Sequence, residues 1–153
     1  MSWSTIELCN YNDLVLEEKN LDKKGLTEPE ANALRDVVKE DIARKIRVTI
    51  HLTIQRKYGE NYALSDYEDD LCDEVSNQEI FKNANTYGIL YKFFKGRLDA
   101  EDETSKLKMQ EYAVAFREAL NGALSLINFD INRSGSIDAD ERFGGSTFIP
   151  SDR

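Results

Sequence analysis

The sequence predicts an all-α protein, a small bundle built on three main helices. Three observations predict it. Apolar residues recur at helical spacing in three long segments, capping boxes stand where two of these begin, and no segment alternates as a half-buried strand would. Around the bundle the sequence places an acidic connection, a twelve-residue loop rich in oxygen-bearing side chains, and an extended C-terminal arm.

The first helix is expected to open at Thr27-Glu28-Pro29-Glu30, where Thr27 covers the Glu30 amide and Glu30 reaches back. Pro29 costs nothing in a first turn, where its missing N–H would have no helical partner. Leu34, Val38, Ile42, Ile46, Ile50 and Ile54 then recur every four residues, and Val37, Val48 and Leu52 are expected to widen the stripe. Gly59 stops the helix.

The second helix is expected to open at a capping box, Ser76-Asn77-Gln78-Glu79, and to end near Gly96. Phe81, Ala84, Tyr87, Gly88, Tyr91 and Phe94 line one face, while Ile89, Leu90 and Phe93 load the others. Such a helix is central and buried on more than one side. The third runs from about Thr104 to Asn128 on a stripe of Leu107, Tyr112, Ala115, Phe116, Ala119, Leu120, Ala123, Leu124 and Ile127.

At 153 residues the chain suits one domain that buries roughly 70% of its unfolded surface. We expect that domain over 1–141 and the arm over 142–153. The net charge of −9 repels phosphate backbones and argues against nucleic-acid binding. No apolar run approaches the ~20 residues of a membrane span, and Met-Ser-Trp-Ser-Thr lacks the start of a signal peptide, so synthesis and assembly in the cytoplasm are expected. Cys9 and Cys72 show neither metal nor redox spacing, and are expected as packed thiols.

Residues 130–141 carry the most specific motif. Asp130, Asn132, Ser134 and Asp138 put oxygen at loop positions one, three, five and nine, and Gly135 stands at the sharp turn of position six. Glu141 closes position twelve, where a carboxylate grips with both oxygens, and the Ser136 carbonyl supplies position seven. Ca²⁺ is a hard cation taking six to eight oxygens, and this EF-hand-like spacing supplies that number. Three formal charges and the lack of a second loop point to weak affinity, roughly 10⁻⁵ to 10⁻³ M. Two adjacent glycines, Gly144 and Gly145, break the exit, so the loop reads as a clip rather than a sensor. An Asx-rich turn that meets no metal is the bland alternative.

Beyond the loop, Phe143, Phe148, Ile149 and Pro150 form an arm that needs a surface to bury against, in its own domain or a neighbour. The first 25 residues also look loosely organised, with scattered Trp3, Ile6, Leu8, Leu14 and Leu16. Between the first two helices lie Glu60, Asp66, Glu68, Asp69, Asp70, Asp73 and Glu74 with no Lys or Arg, a patch expected to face solvent. Catalytic motifs are missing from the sequence: no phosphate loop, nucleophile elbow or zinc motif occurs, and the one histidine, His51, has no spaced partner. No enzymatic role is expected.

The order of these pieces resembles the head–tail connector, or adaptor, proteins of tailed bacteriophages. Ser-Thr-Ile-Glu-Leu-Cys-Asn-Tyr-Asn-Asp-Leu (4–14) is similar to that family's N-terminal segment, and the long helix with Ala43-Arg44-Lys45-Ile46 follows. The segment from Asp73 to Ala84 looks like the opening of the family's central helix, and Tyr87 to Phe94 fits its body. Tyr112 to Phe129 and the turn at 130–141 resemble the final helix and its calcium-like turn, ahead of a C-terminal arm. The resemblance implies a virion protein at the head–tail interface, a homo-oligomeric ring typically of twelve copies between portal and tail. It implies as partners the phage portal protein and tail or neck proteins. It implies too that DNA passes through the ring without specific binding and that no membrane is involved. The alternative is a calcium-dependent binding module of lone EF-hand or dockerin-like type, although dockerins carry two loops and follow a secretion signal.

Overall fold

The computed structural model describes residues 2–59, 71–98, 103–130 and 136. Among them the protein is all-α, with four helices: α1 (Tyr11–Glu17), α2 (Glu28–Tyr58), α3 (Lys82–Lys95) and α4 (Glu103–Leu124). A short 3₁₀ turn, Gln78–Phe81, leads into α3. Among the described residues the one pairing of extended backbone is an isolated antiparallel bridge between Val75 and Phe129. Among the described residues no helix is long and apolar enough to cross a membrane.

The chain divides into two compact units. One takes Glu7–Ile42 and Phe81–Asn121; the other takes the described parts of Met1–Ile6, Ala43–Ile80 and Gly122–Arg153. Helix α2 therefore contributes its first half to one unit and its second half to the other.

Helix α2 begins as its residues dictate. The Glu30 amide donates to Thr27 Oγ1 at 3.4 Å, and Glu30 Oε2 accepts from the Thr27 amide at 3.1 Å. The bonds that its carboxylate accepts from the Thr27 amide and hydroxyl hold it below its ordinary range. Val38, Ile42, Ile46, Ile50 and Ile54 are all fully buried. A four-residue step advances a helix by about 400°, so this stripe winds slowly round the axis instead of keeping one side. Val37, Val48 and Leu52 do not widen it: they are 50%, 55% and 46% exposed, on the far side. The helix ends at Gly59, whose amide makes a last bond to the Gln55 carbonyl at 2.9 Å and whose φ of +88° is the left-handed conformation that ends it.

In the first unit α3 is enclosed, with Ala84 to Thr86 and Gly88 to Leu90 buried as consecutive runs. Consecutive buried residues on a helix mean burial on more than one side. Three helices meet at Gly88: a methyl there would stand 2.5 Å from Val38 Cγ1 and 3.1 Å from the Phe116 ring. The glycine is what lets α2 and α4 close on α3 at this level. On α4, Tyr112, Leu120 and Ala123 are buried, but Leu107 is 66% exposed and does not join the core stripe.

The N-terminal segment is better organised than its scattered apolar residues suggest. Asn10 caps α1 by accepting from the Asp13 amide at 3.0 Å, and Asp13 returns the bond at 3.0 Å. Leu8, Cys9, Leu14, Leu21 and Leu26 are buried in the same unit, and Tyr11 donates its hydroxyl to the Leu26 carbonyl at 2.8 Å.

Candidate functional site

The expected calcium loop lies almost wholly outside the described residues. So do Asn132, Ser134, Asp138, Glu141 and the arm residues Phe143, Phe148, Ile149 and Pro150. Of the expected ligands, Asp130 is described and half-buried, and Ser136 is described and exposed. Among the described residues no group of three His, Cys, Asp or Glu side chains is placed to hold a metal.

What the structure describes is the approach to the loop. Helix α4 ends at Leu124, four residues before the expected Asn128, and the chain turns as the Leu126 amide bonds the Ala123 carbonyl. It then runs beside residues 75–77. Val75 and Phe129, both buried, form the bridge, and the Ser76 amide donates to the Asn128 carbonyl at 3.1 Å. Asn77 completes the clip with both ends of its amide: Nδ2 donates to the Leu126 carbonyl at 2.8 Å, and Oδ1 accepts from the Asn128 amide at 2.9 Å. Asp130, the first expected ligand, thus follows directly on a fixed backbone.

This arrangement overturns the expected capping box at Ser76. Helix α3 starts later, after the 3₁₀ turn, with Phe81 at its N-cap and no side-chain cap bond. The Ser76 amide, to which Glu79 would reach back in such a box, goes to the Asn128 carbonyl instead, and the Asn77 side chain holds the 126–128 backbone beside it. The buried Gln78 donates to the Cys72 carbonyl at 2.8 Å. Of the acidic segment, 60–70 lies outside the described residues, while Asp73 is exposed and accepts from the Trp3 amide.

The other unit holds a polar centre that sequence reasoning missed. Glu18, only 6% exposed, binds Lys24 Nζ, accepts the Tyr112 hydroxyl at 2.6 Å and meets Lys108 Nζ at 3.2 Å. Burial pushes its carboxyl up, but the bonds from Lys24, Tyr112 and Lys108 outweigh burial and hold it below the ordinary range. Burial, then the bond to Glu18, pushes the Tyr112 phenol far up. The bond to Glu18 raises Lys108. All three shifts lock in the charge state each group already has near neutrality, the reverse of the poise an acid–base catalyst needs. The centre ties the segment after α1 to α4. Nothing in the local sequence marks it, because Glu18 and Tyr112 are 94 residues apart.

His51 is exposed on α2. Cys9 and Cys72 are both buried thiols; burial pushes the Cys9 thiol up, away from the thiolate that reactive cysteines use. No family model, curated protein or solved structure matches this chain.

Proposed function

We propose that this protein is a non-enzymatic structural subunit of a tailed-bacteriophage virion, forming a ring between portal and tail through which DNA passes. The observation that carries this reading is the clipped end of α4. A side chain and a backbone bridge hold 126–129 in place just before the oxygen-rich loop and the apolar arm. An arm that grips a neighbour needs a rigid point of departure, since order spent at the moment of binding lowers affinity. The helical bundle and the acidic balance support the same reading, because a lumen of negative charge repels the DNA it conducts. In this reading a weakly held Ca²⁺ in 130–141 fixes the arm to the clip, through Asp130, Asn132, Ser134, the Ser136 carbonyl, Asp138 and Glu141.

Negative-stain microscopy of the full chain with a portal ring tests the reading, with removal of 142–153 as its control. Rings seated on the portal are expected from the full chain, and their loss with helicity unchanged is expected from the truncation. A truncation that unfolds the bundle would place the arm in the core and sink the proposal. Calorimetry with Ca²⁺ on the wild type and on Asp130→Ala tests the loop separately.

A further inference from the structure

Charge is sorted along this chain. In a protein of net charge −9, the second half of α2, 43–58, carries Arg44, Lys45, Arg47, Arg56 and Lys57 and no acid. The stretch that follows, 60–70, carries Glu60, Asp66, Glu68, Asp69 and Asp70 and no base. Both stretches belong to the same compact unit.

The described ends of the acidic stretch fix where the chain must go. Helix α2 finishes at Gly59, yet the Cys72 thiol donates to the Ala43 carbonyl at 3.7 Å, and both of these residues are buried. From Ala43 to Gly59 the helix rises roughly 24 Å, so the chain returns over that length beside the helix it has just left. Four of the five acids stand near the anchored end. Asp70 is two residues from Cys72 and Asp66 is six, which keeps their backbones within at most ~7 Å and ~22 Å of it.

The bases that border this anchor lie on one flank. At 100° per residue Arg44, Arg47 and the exposed His51 fall within about 60° of one another, and Ala43 lies about 40° beyond Arg47. Lys45 and Arg56 stand about 100° or more away, on the opposite flank. We propose that 60–70 docks along the Arg44–Arg47–His51 flank of α2 in its own chain and screens it from other polyanions, nucleic acid above all. One exposed pair adds little, so the hold is the sum of several and weakens with salt. The docking needs neither ring nor portal and stands apart from the ring reading. What it adds there is a basic helix kept from binding DNA.

Two measurements on the full chain test this. A protease cuts a segment in proportion to how often it opens, so cleavage after Glu68 by a glutamyl endopeptidase reads the docking. Arg44→Gln with Arg47→Gln is expected to quicken that cleavage about fivefold, and Arg44→Lys with Arg47→Lys to keep most of the protection. Lys45→Gln with Arg56→Gln, an equal loss of charge on the other flank, should leave it unchanged. The second probe is a labelled DNA duplex at low salt. Asp66→Asn, Glu68→Gln, Asp69→Asn and Asp70→Asn together uncover the flank and should bind it at least about threefold more tightly than the wild type. Glu17→Gln, Asp22→Asn, Glu28→Gln and Glu103→Gln, four exposed acids of the other unit, change the net charge equally and should not. If the arginine pair unfolds, as circular dichroism would show, the four-acid variant decides by itself. Cleavage indifferent to the loss of Arg44 and Arg47, or quickened equally by both pairs, would overturn the proposal. So would protection that grows with protein concentration, which gives the segment to a second copy, or equal DNA binding by the two four-acid variants.

Discussion

Two polar side chains hold distant parts of this chain together, one in each compact unit, and they do it by different physics. Glu18 is a buried charge. It is tolerated because Lys24, Lys108 and the Tyr112 hydroxyl surround it, and each lysine keeps about a third of its side chain in solvent. Asn77 is neutral and half-exposed, and it matches one donor and one acceptor to the backbone at 126 and 128. A carboxylate drives ordering strongly but is unsafe without all of its partners. An amide drives it weakly but satisfies two backbone groups with no charge to neutralise. The carboxylate sits in the helical core; the amide sits at the threshold of the expected calcium loop.

The sharpest way to break this contrast is to remove the carboxylate. Glu18→Ala should cost about 2–4 kcal/mol, at the lower side of buried-pair losses because the stranded lysines can turn to water. Urea unfolding checks it, and a loss under about 1 kcal/mol would make the centre incidental. Its pH dependence has a definite sign. The folded carboxyl lies below its ordinary 4.5, so the unfolded chain binds the extra proton between the two values. The stabilisation is present above pH 4.5 and fades as the pH falls through the folded value. The gap between the wild type and Glu18→Gln should therefore narrow below pH 4.5 and stay constant from 5 to 7.

Asn77→Ala comes next, at about 1–3 kcal/mol, because it leaves the part-buried Asn128 amide without its acceptor. Hydrogen exchange at Asn128 should quicken with the helices unaffected. If the helices lose protection together with Asn128, the clip is part of the core and the contrast with Glu18 dissolves. Gly88→Ala belongs beside it. The added methyl meets Val38 and Phe116, and overpacking of about 1–3 kcal/mol is offset by about 1 kcal/mol of helix propensity. A net stabilisation by thermal melting would show that the three helices can spread at that level.

The same contrast explains what was legible in the sequence. The Thr27–Glu30 box was legible, since its partners lie three residues apart and nothing competes for them. The look-alike box at Ser76 was not, because a local signal loses when a tertiary partner takes one of its groups, and the Asn128 carbonyl takes the Ser76 amide to which Glu79 would reach back. Helix α1 had a readable sign in Asn10 and Asp13, a capping box built with a shorter acid than usual. The α2 core isoleucines were visible from their spacing. That Val37, Val48 and Leu52 face outward was not, because apolarity alone does not say which side of a helix is covered. Glu18 was invisible: pairing with Tyr112 follows from the fold, not from any pattern of neighbours. The calcium loop is an expectation from spacing, of whose ligands the structure describes Asp130 and Ser136, whereas the clip that leads into it required the structure.

The smallest expected effect tests whether local caps count for as much as the two tertiary ties. In Thr27→Ala the Glu30 amide loses its side-chain acceptor at the start of α2, a loss of about 1 kcal/mol for an exposed cap. Thr27→Ser keeps the hydroxyl and should recover nearly all of it, whereas Thr27→Val keeps the shape and should not. Because the cap lies on the surface, water replaces the lost oxygen, which is why the loss stays below that of Asn77→Ala with its part-buried amide. Thermal melts of the three variants check the order. If Thr27→Ala costs as much as Asn77→Ala, burial of the orphaned amide is not what separates cap from clip.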